Sequence, residues 1–169
     1  ARTSYAEVFD VLFSQKIIDR YIPFLPMLKD MNELMKILRE KRMNRGTIDF
    51  SIPETTVVMD EKGKPTDIFP SPITDSNRII EELMIICNEY VASRFDAMKH
   101  PFIYRVHEQP DELKISEFLR VARIFGAKPS RGKKVSPEFL SELMRQIEDE
   151  PYAPALSMML LRSLAKARY

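Results

Sequence analysis

Glu81 and Glu82 stand side by side in "TDSNRIIEELMIICNEYVASRF", residues 74–95. Two neighbouring carboxylates can divide acid and base duty or hold a cation, provided both reach the same point. On a helix, however, consecutive residues diverge by roughly 100°, so adjacency in sequence separates them in space. Projection places Ile80, Met84, Cys87 and Val91 on one apolar seam, with Ile79, Leu83, Ile86 and Tyr90 beside it. Glu82 falls opposite that face with Arg78, Glu89 and Asp96, and is expected to meet solvent or a salt partner. Glu81 falls about a quarter turn away, at the margin of the expected buried face and close in angle to Asn77 and Asn88. Such a polar stripe beside an apolar wall suits either a contact with a neighbouring helix or part of a site, since buried polar groups need partners in both cases.

The remaining reactive side chains fit ordinary roles. His100 and His107 lack the i, i+4 spacing of a helical zinc site and have no cysteine nearby. On an extended segment Arg105 and His107 share one face while Glu108 takes the other, which argues against a His–Glu acid–base pair and leaves structural hydrogen bonding as their default. "DEKGKPTD" departs from the calcium-loop pattern at its third and fifth positions and reads as a hairpin turn. No GxSxG elbow, phosphate-binding loop or dinucleotide glycine motif is present. The cluster Lys36, Arg39, Lys41, Arg42 and Arg45 sits where a helix dipole favours cations with or without phosphate. The loop with Lys128, Arg131, Lys133 and Lys134 could touch phosphates, but such loops are common on any surface.

A chain of 169 residues with 44% hydrophobic content suits one folded domain with a core. Its formal net charge of +1 means that nucleic-acid affinity, if present, comes from local clusters. The single cysteine excludes an internal disulfide framework and a multi-cysteine zinc site, in keeping with a reducing cytoplasm. The apolar runs are shorter than the roughly 20 residues of a membrane-spanning helix.

Periodicity and capping residues define the expected elements. Thr3 or Ser4 caps a short helix carrying Tyr5, Val8, Phe9 and Leu12, and a longer helix spans Met27 to Arg45 with Gly46 as its stop. "TIDFSIP", "TTVVMD" and "TDIFPS" read as three strands of a small sheet, the last two joined by "EKGKP". The helix from Thr74 follows, then an extended "FIYRVHE" and a helix from Asp111 to near Gly126. Ser136-Pro137 opens another helix, and a last one runs from about Ala153 through Lys166. The expected class is α+β, mostly helical, with one small antiparallel sheet after the second helix.

Taken in order, "ARTSYAEVFDVL", "LREKRMNRGTIDFSIPE", "ITDSNRIIEELMIICNEYVA", "YRVHEQP", "GKKVSPEFL" and "MLLRSLAKARY" resemble the RNB catalytic domain of the ribonuclease R and ribonuclease II family, on its ribonuclease R side. The resemblance extends over essentially all 169 residues. It implies part of a hydrolytic, processive, 3′→5′ exoribonuclease that degrades single-stranded RNA to nucleoside monophosphates. It further implies a cytoplasmic, monomeric parent with no preference for DNA and no membrane association. The family's Mg²⁺ is held by an aspartate cluster in sequence before Ala1, and its arginine-rich phosphate-positioning segment comes after Tyr169. The resemblance therefore implies a partial RNB domain over residues 1–169, with no catalytic residue and no metal ligand in it. Carried over by position, Tyr5 of "RTSYAEV" matches a tyrosine close to the RNA 3′ end. Phe50 of "GTIDF" matches the aromatic that closes the base stack, and Glu81 matches an acidic residue near the bound nucleotides. Asn77 and Asn88 are their candidate neighbours. Without the resemblance, Tyr5 and Phe50 would be read as core residues. The alternative is an RNB-like module, catalytically inactive, that holds RNA or docks a protein.

Overall fold

The structure, a computed structural model, describes residues 3–50, 54–71, 73–129 and 135–169. The chain divides into two compact units, Ala1–Lys41 with Pro53–Arg94, and Arg42–Ile52 with Phe95–Tyr169.

The first unit opens with α1, Tyr5–Phe13, whose N-cap Ser4 accepts a hydrogen bond from the Glu7 amide at 3.3 Å. A 3₁₀ turn at Asp19–Phe24 buries Tyr21 and leads into α2, Leu25–Asn44. Leu28, Asn32 and Met35 form the buried stripe of α2, at the i, i+4, i+7 spacing of one helix face. β1, Glu54–Met59, then pairs antiparallel with β2, Pro65–Ser71, with Val57 opposite Ile68. Their turn is organised by Asp60, whose Oδ1 accepts from the amides of Lys62 and Lys64 at 2.8 Å each, while Gly63 takes φ +74°. That arrangement gives Asp60 a turn-forming role, and the acidic loop is a hairpin. α3, Asp75–Ala97, completes the unit, and its buried residues are Ser76, Ile79 and Glu82.

The second unit holds the larger core. After β3, Val106–His107, Asp111 caps α4, Glu112–Ile124, by accepting from the amides of Leu113 and Lys114. Ser136 caps α5, Pro137–Arg145, and α6 spans Ala153–Ser163. Phe118, Ala122, Leu143, Ile147, Leu156 and Leu160 interlock as one cluster, each 2% exposed or less. The chain ends on β4, Ala167–Arg168, which pairs antiparallel with β3. Gly46 closes α2 at φ +88°, and a side chain there would also meet the Glu138 backbone at 2.7 Å. Only glycine satisfies both conditions.

The α+β class holds, with three departures from expectation. Thr47–Phe50 is no strand: the hydroxyl of Ser141 donates to the Thr47 carbonyl at 3.0 Å, and Ile48 and Phe50 pack on the helical core. The hairpin therefore has two strands among the described residues, and Ser51–Pro53 of "TIDFSIP" lies outside them. The final helix stops at Ser163, where Leu164 turns extended at ψ 146° and releases the chain to pair with β3. Its alanines and lysine favour helix locally, and tertiary pairing overrides that preference.

The largest difference concerns α3. Glu82, expected opposite the buried face, is 2% exposed and lies 3.5 Å from Arg39 of α2. The apolar seam turns outward: Ile80 is 37% exposed, Met84 59% and Val91 40%. Helical periodicity identifies the apolar stripe, but the covered residues of α3 are Ser76, Ile79 and Glu82, of which Ile79 alone belongs to the expected apolar face. The salt partner expected for Glu82 is present, and the solvent is not.

Candidate nucleic-acid interface

Tyr5 is the first residue of α1 and leaves half of its surface open. It lines a cleft of about 790 Å³ with Val8, Arg20, Phe24, Met27 and the α3 residues Ile79 and Ile80. The walls are mainly apolar, and among the described residues the one charged side chain on the lining is that of Arg20. A flat aromatic group would find both a ring to stack on and an apolar wall in such a cleft, with a cation at its rim for an attached anion.

Glu7 holds that rim together. Its carboxylate accepts from Arg20 Nη2, from Tyr21 Oη at 2.9 Å and from Ser4 Oγ at 2.9 Å. The S-x-x-E spacing of Ser4 and Glu7 is a capping box in sequence, so this network had a local signal that a search for catalytic motifs passes over. The hydrogen bond from Arg20, then those from Ser4 and Tyr21, hold the Glu7 carboxyl below its ordinary value of 4.5. A carboxyl whose folded value is lowered stabilises the fold above the unfolded value and loses that contribution as pH falls through the folded one. The α1 region should accordingly loosen only below about pH 4.5, and Glu7→Gln should flatten this acid limb. Amide exchange of α1 against pH measures it, and an unchanged limb in the variant would contradict the assignment.

Glu81 follows Ile80 on α3 and is exposed; it does not line the cleft. Asn77 is committed at the start of α3, where its Oδ1 accepts from the Thr74 amide at 3.2 Å and the Thr74 hydroxyl at 2.6 Å. Asn88, two turns beyond Glu81, is exposed. Phe50 belongs to the second unit, half-buried with its ring against the cluster of α4, α5 and α6. Tyr5, Glu81, Asn77 and Asn88 thus share one unit, and Phe50 is anchored in the other.

His107 has a structural partner. Its Nδ1 lies 3.1 Å from the Ala165 carbonyl oxygen, while Glu108 on the opposite face pairs with Arg168 at 2.7 Å. In the basic run of α2, Lys36 pairs with Glu33 and Arg39 with Glu82. Of the basic loop, Lys128 gives its amide to Gln146, while Arg131, Lys133 and Lys134 lie outside the described residues. Among the described residues no group of three or more His, Cys, Asp or Glu side chains is placed to hold a metal ion. Among them, too, no helix is long and apolar enough to cross a membrane.

The sequence profile of the RNB domain matches residues 1–169. This chain belongs to the RNB domain family. It is 35% identical to ribonuclease R of Aquifex aeolicus over 170 aligned positions, which take in the whole chain and 24% of that protein. It is 31% identical to ribonuclease R of Escherichia coli, covering the whole chain and 21% of that protein. In three dimensions it resembles Mycoplasma genitalium RNase R in complex with ribose-methylated single-stranded RNA, at a TM-score of 0.88 and 28% identity. That likeness covers 98% of this chain and 26% of the larger one. The same protein has also been solved in complex with double-stranded RNA, and the likeness there is again 0.88. The RNB chain described here spans about a quarter of the length of these relatives.

Proposed function

We propose that this RNB chain is part of the catalytic domain of a hydrolytic, processive 3′→5′ exoribonuclease, and that it lines the path of single-stranded RNA. The observation that carries the reading is the match of the whole chain to the RNB domain, supported by the likeness to a ribonuclease R solved with single-stranded RNA. Tyr5 offers its open ring to a base beside the apolar wall of the cleft, and the exposed carboxylate of Glu81 lies one residue beyond that wall. Phe50 offers the ring face not taken up by the core, at a position fixed by the packing beneath it. Stacking needs no particular base, which suits degradation irrespective of sequence. With Asn77 engaged in capping, Asn88 is the amide with the greater exposure on this stripe. Products would be nucleoside monophosphates, in a cytoplasmic, monomeric parent whose substrate is RNA rather than DNA. The Mg²⁺ ligands are assigned to the parent outside this chain, and no step through the metal is derived from the residues described.

On this reading the full-length protein digests single-stranded RNA with Mg²⁺, whereas the 169 residues alone do not. Robust metal-dependent digestion by the isolated chain would sink the proposal. In the full-length protein Phe50→Ala should weaken RNA binding by about 1–3 kcal/mol, the worth of one stacked base, and change the length of the leftover product while hydrolysis persists. End products and affinity identical to the parent's would remove Phe50 from the path. A full-length protein that binds RNA without degrading it would favour an inactive holding module instead.

A further inference from the structure

A serine stands where the core of the second unit calls for an apolar side chain. α5 buries Phe139, Leu140, Leu143 and Met144, and between them Ser141 is 3% exposed. Alanine would fit the same space, favours helix more strongly and brings no polar atom to satisfy. A serine hydroxyl inside a helix commonly bonds back to a carbonyl of its own helix, as Ser163 of α6 does to Met159 at 2.8 Å. Ser141 instead donates to the Thr47 carbonyl, 94 residues away in sequence, at 3.0 Å. Its hydroxyl is a tertiary fastening within the second unit.

What it fastens is the segment that carries Phe50. Residues 47–50 are neither helix nor strand, so no ladder of backbone bonds fixes their course. The segment leaves α2 at Gly46, which lies against the Glu138 backbone of α5, and the Thr47 hydroxyl turns back to the Arg42 carbonyl at 2.9 Å. Ile48 and Phe50 then rest on the core cluster. Apolar contact has no direction of its own, so it keeps the Phe50 ring on the core without fixing where along the core it lies. A hydrogen bond is directional and supplies that fix. Thr47 is three residues from Phe50, within about 10 Å of extended chain, so freedom at its carbonyl passes to the ring.

The geometry points to Ser141 as a positioning residue for RNA: through the Thr47 carbonyl its hydroxyl sets the place of the ring on which a base stacks. The inference rests on the reading that Phe50 lies on the RNA path. Ser141 is buried beneath the segment and touches no base itself. Stacking accepts any base, but it does not accept a displaced ring.

The test compares full-length proteins carrying Ser141→Ala, Phe50→Ala and both changes on a single-stranded oligoribonucleotide. KM, kcat and the length of the leftover product are measured, together with amide exchange. Ser141→Ala should raise KM about three- to tenfold with kcat held within about twofold, the scale set by one lost buried hydrogen bond. The leftover product should shift in the direction seen for Phe50→Ala. Exchange at residues 47–50 should quicken while α4 to α6 stay slow, which separates a loosened segment from an unfolded core. The double variant should match Phe50→Ala, because no ring remains to be placed. Ser157→Ala, which removes another buried hydroxyl from the same unit, should leave KM and product length unchanged.

Parent-like kinetics and products in Ser141→Ala, where Phe50→Ala alters them, would overturn the inference and leave the stacking role of Phe50 intact. Parent-like behaviour in both variants would refute that role, and the one given to Ser141 with it. Additive effects in the double variant, or an equal shift in Ser157→Ala, would reduce Ser141 to general support of the core and overturn the inference as well.

Discussion

Replacing Phe118 by alanine should lower the unfolding free energy of the second unit by about 3–5 kcal/mol, the range for removing a fully buried aromatic side chain. Phe118 is 0% exposed and sits among Ala122, Leu143, Leu156 and Leu160 of the single core cluster. The loss combines the transfer of the ring from water with the void it leaves, and both are near their largest at a fully buried position lined by residues of three helices. Denaturant unfolding followed by circular dichroism measures the change. A shift of less than about 1 kcal/mol would mean that α4, α5 and α6 close over the gap or that the core is not packed as described. Ile48 and Phe50 pack against the same cluster, so the variant should also increase amide exchange around Thr47–Phe50.

Glu82→Ala should cost about 3 kcal/mol, at the lower end for breaking a buried ion pair, because the side chain of Arg39 is 22% exposed and can turn to water. The effect belongs to the first unit, so the proper reading is amide exchange along α2 and α3, with α4 to α6 as the internal control. Replacing both partners, as Arg39→Met with Glu82→Leu, should recover much of the loss, since an apolar pair of similar volume needs no desolvated charge to be matched. A single variant as stable as the parent would show that Glu82 is not held in the covered stripe. A double variant no better than Glu82→Ala would show that its energetic partner is not Arg39.

These two positions differ in how far the sequence announces them. Phe118 belongs to an apolar helical repeat opened by a clear Asp111 cap, and the face that the repeat defines is the face that is buried. Glu82 lies on the polar side of an equally clear repeat, and there the covered stripe takes in Glu82 and Ser76 with only Ile79 from the apolar face. The difference is what each helix meets: α4 packs on α6 within one core, whereas α3 turns Glu82 toward Arg39 of α2 and leaves its seam open. Phe50 carries the same lesson. Alternation in "TIDFSIP" reads as a strand, but Ile48 and Phe50 two residues apart can equally place both side chains against a helical surface. Tyr5, Phe50 and Glu81 are candidate contacts through the family blocks alone, and of these Tyr5 lines the apolar cleft of the first unit. The Glu7 network around it was legible only as a capping box, because Arg20 and Tyr21 reach Glu7 from a separate turn.

By itself the sequence determined where several helices start and where α2 stops, the α+β class and membership of the RNB family. Ser4, Asp111 and Ser136 cap helices, and Gly46 ends one, through bonds spanning three or four residues or through a single φ angle. Such short-range chemistry is the same in any tertiary context. Only the tertiary structure decided which stripe of α3 is covered, why residues 47–50 lie on a helical core, and how β4 finds β3 across the chain. Apolar burial has no direction of its own: a periodic pattern marks a face that can be buried, and the partner chooses which face is.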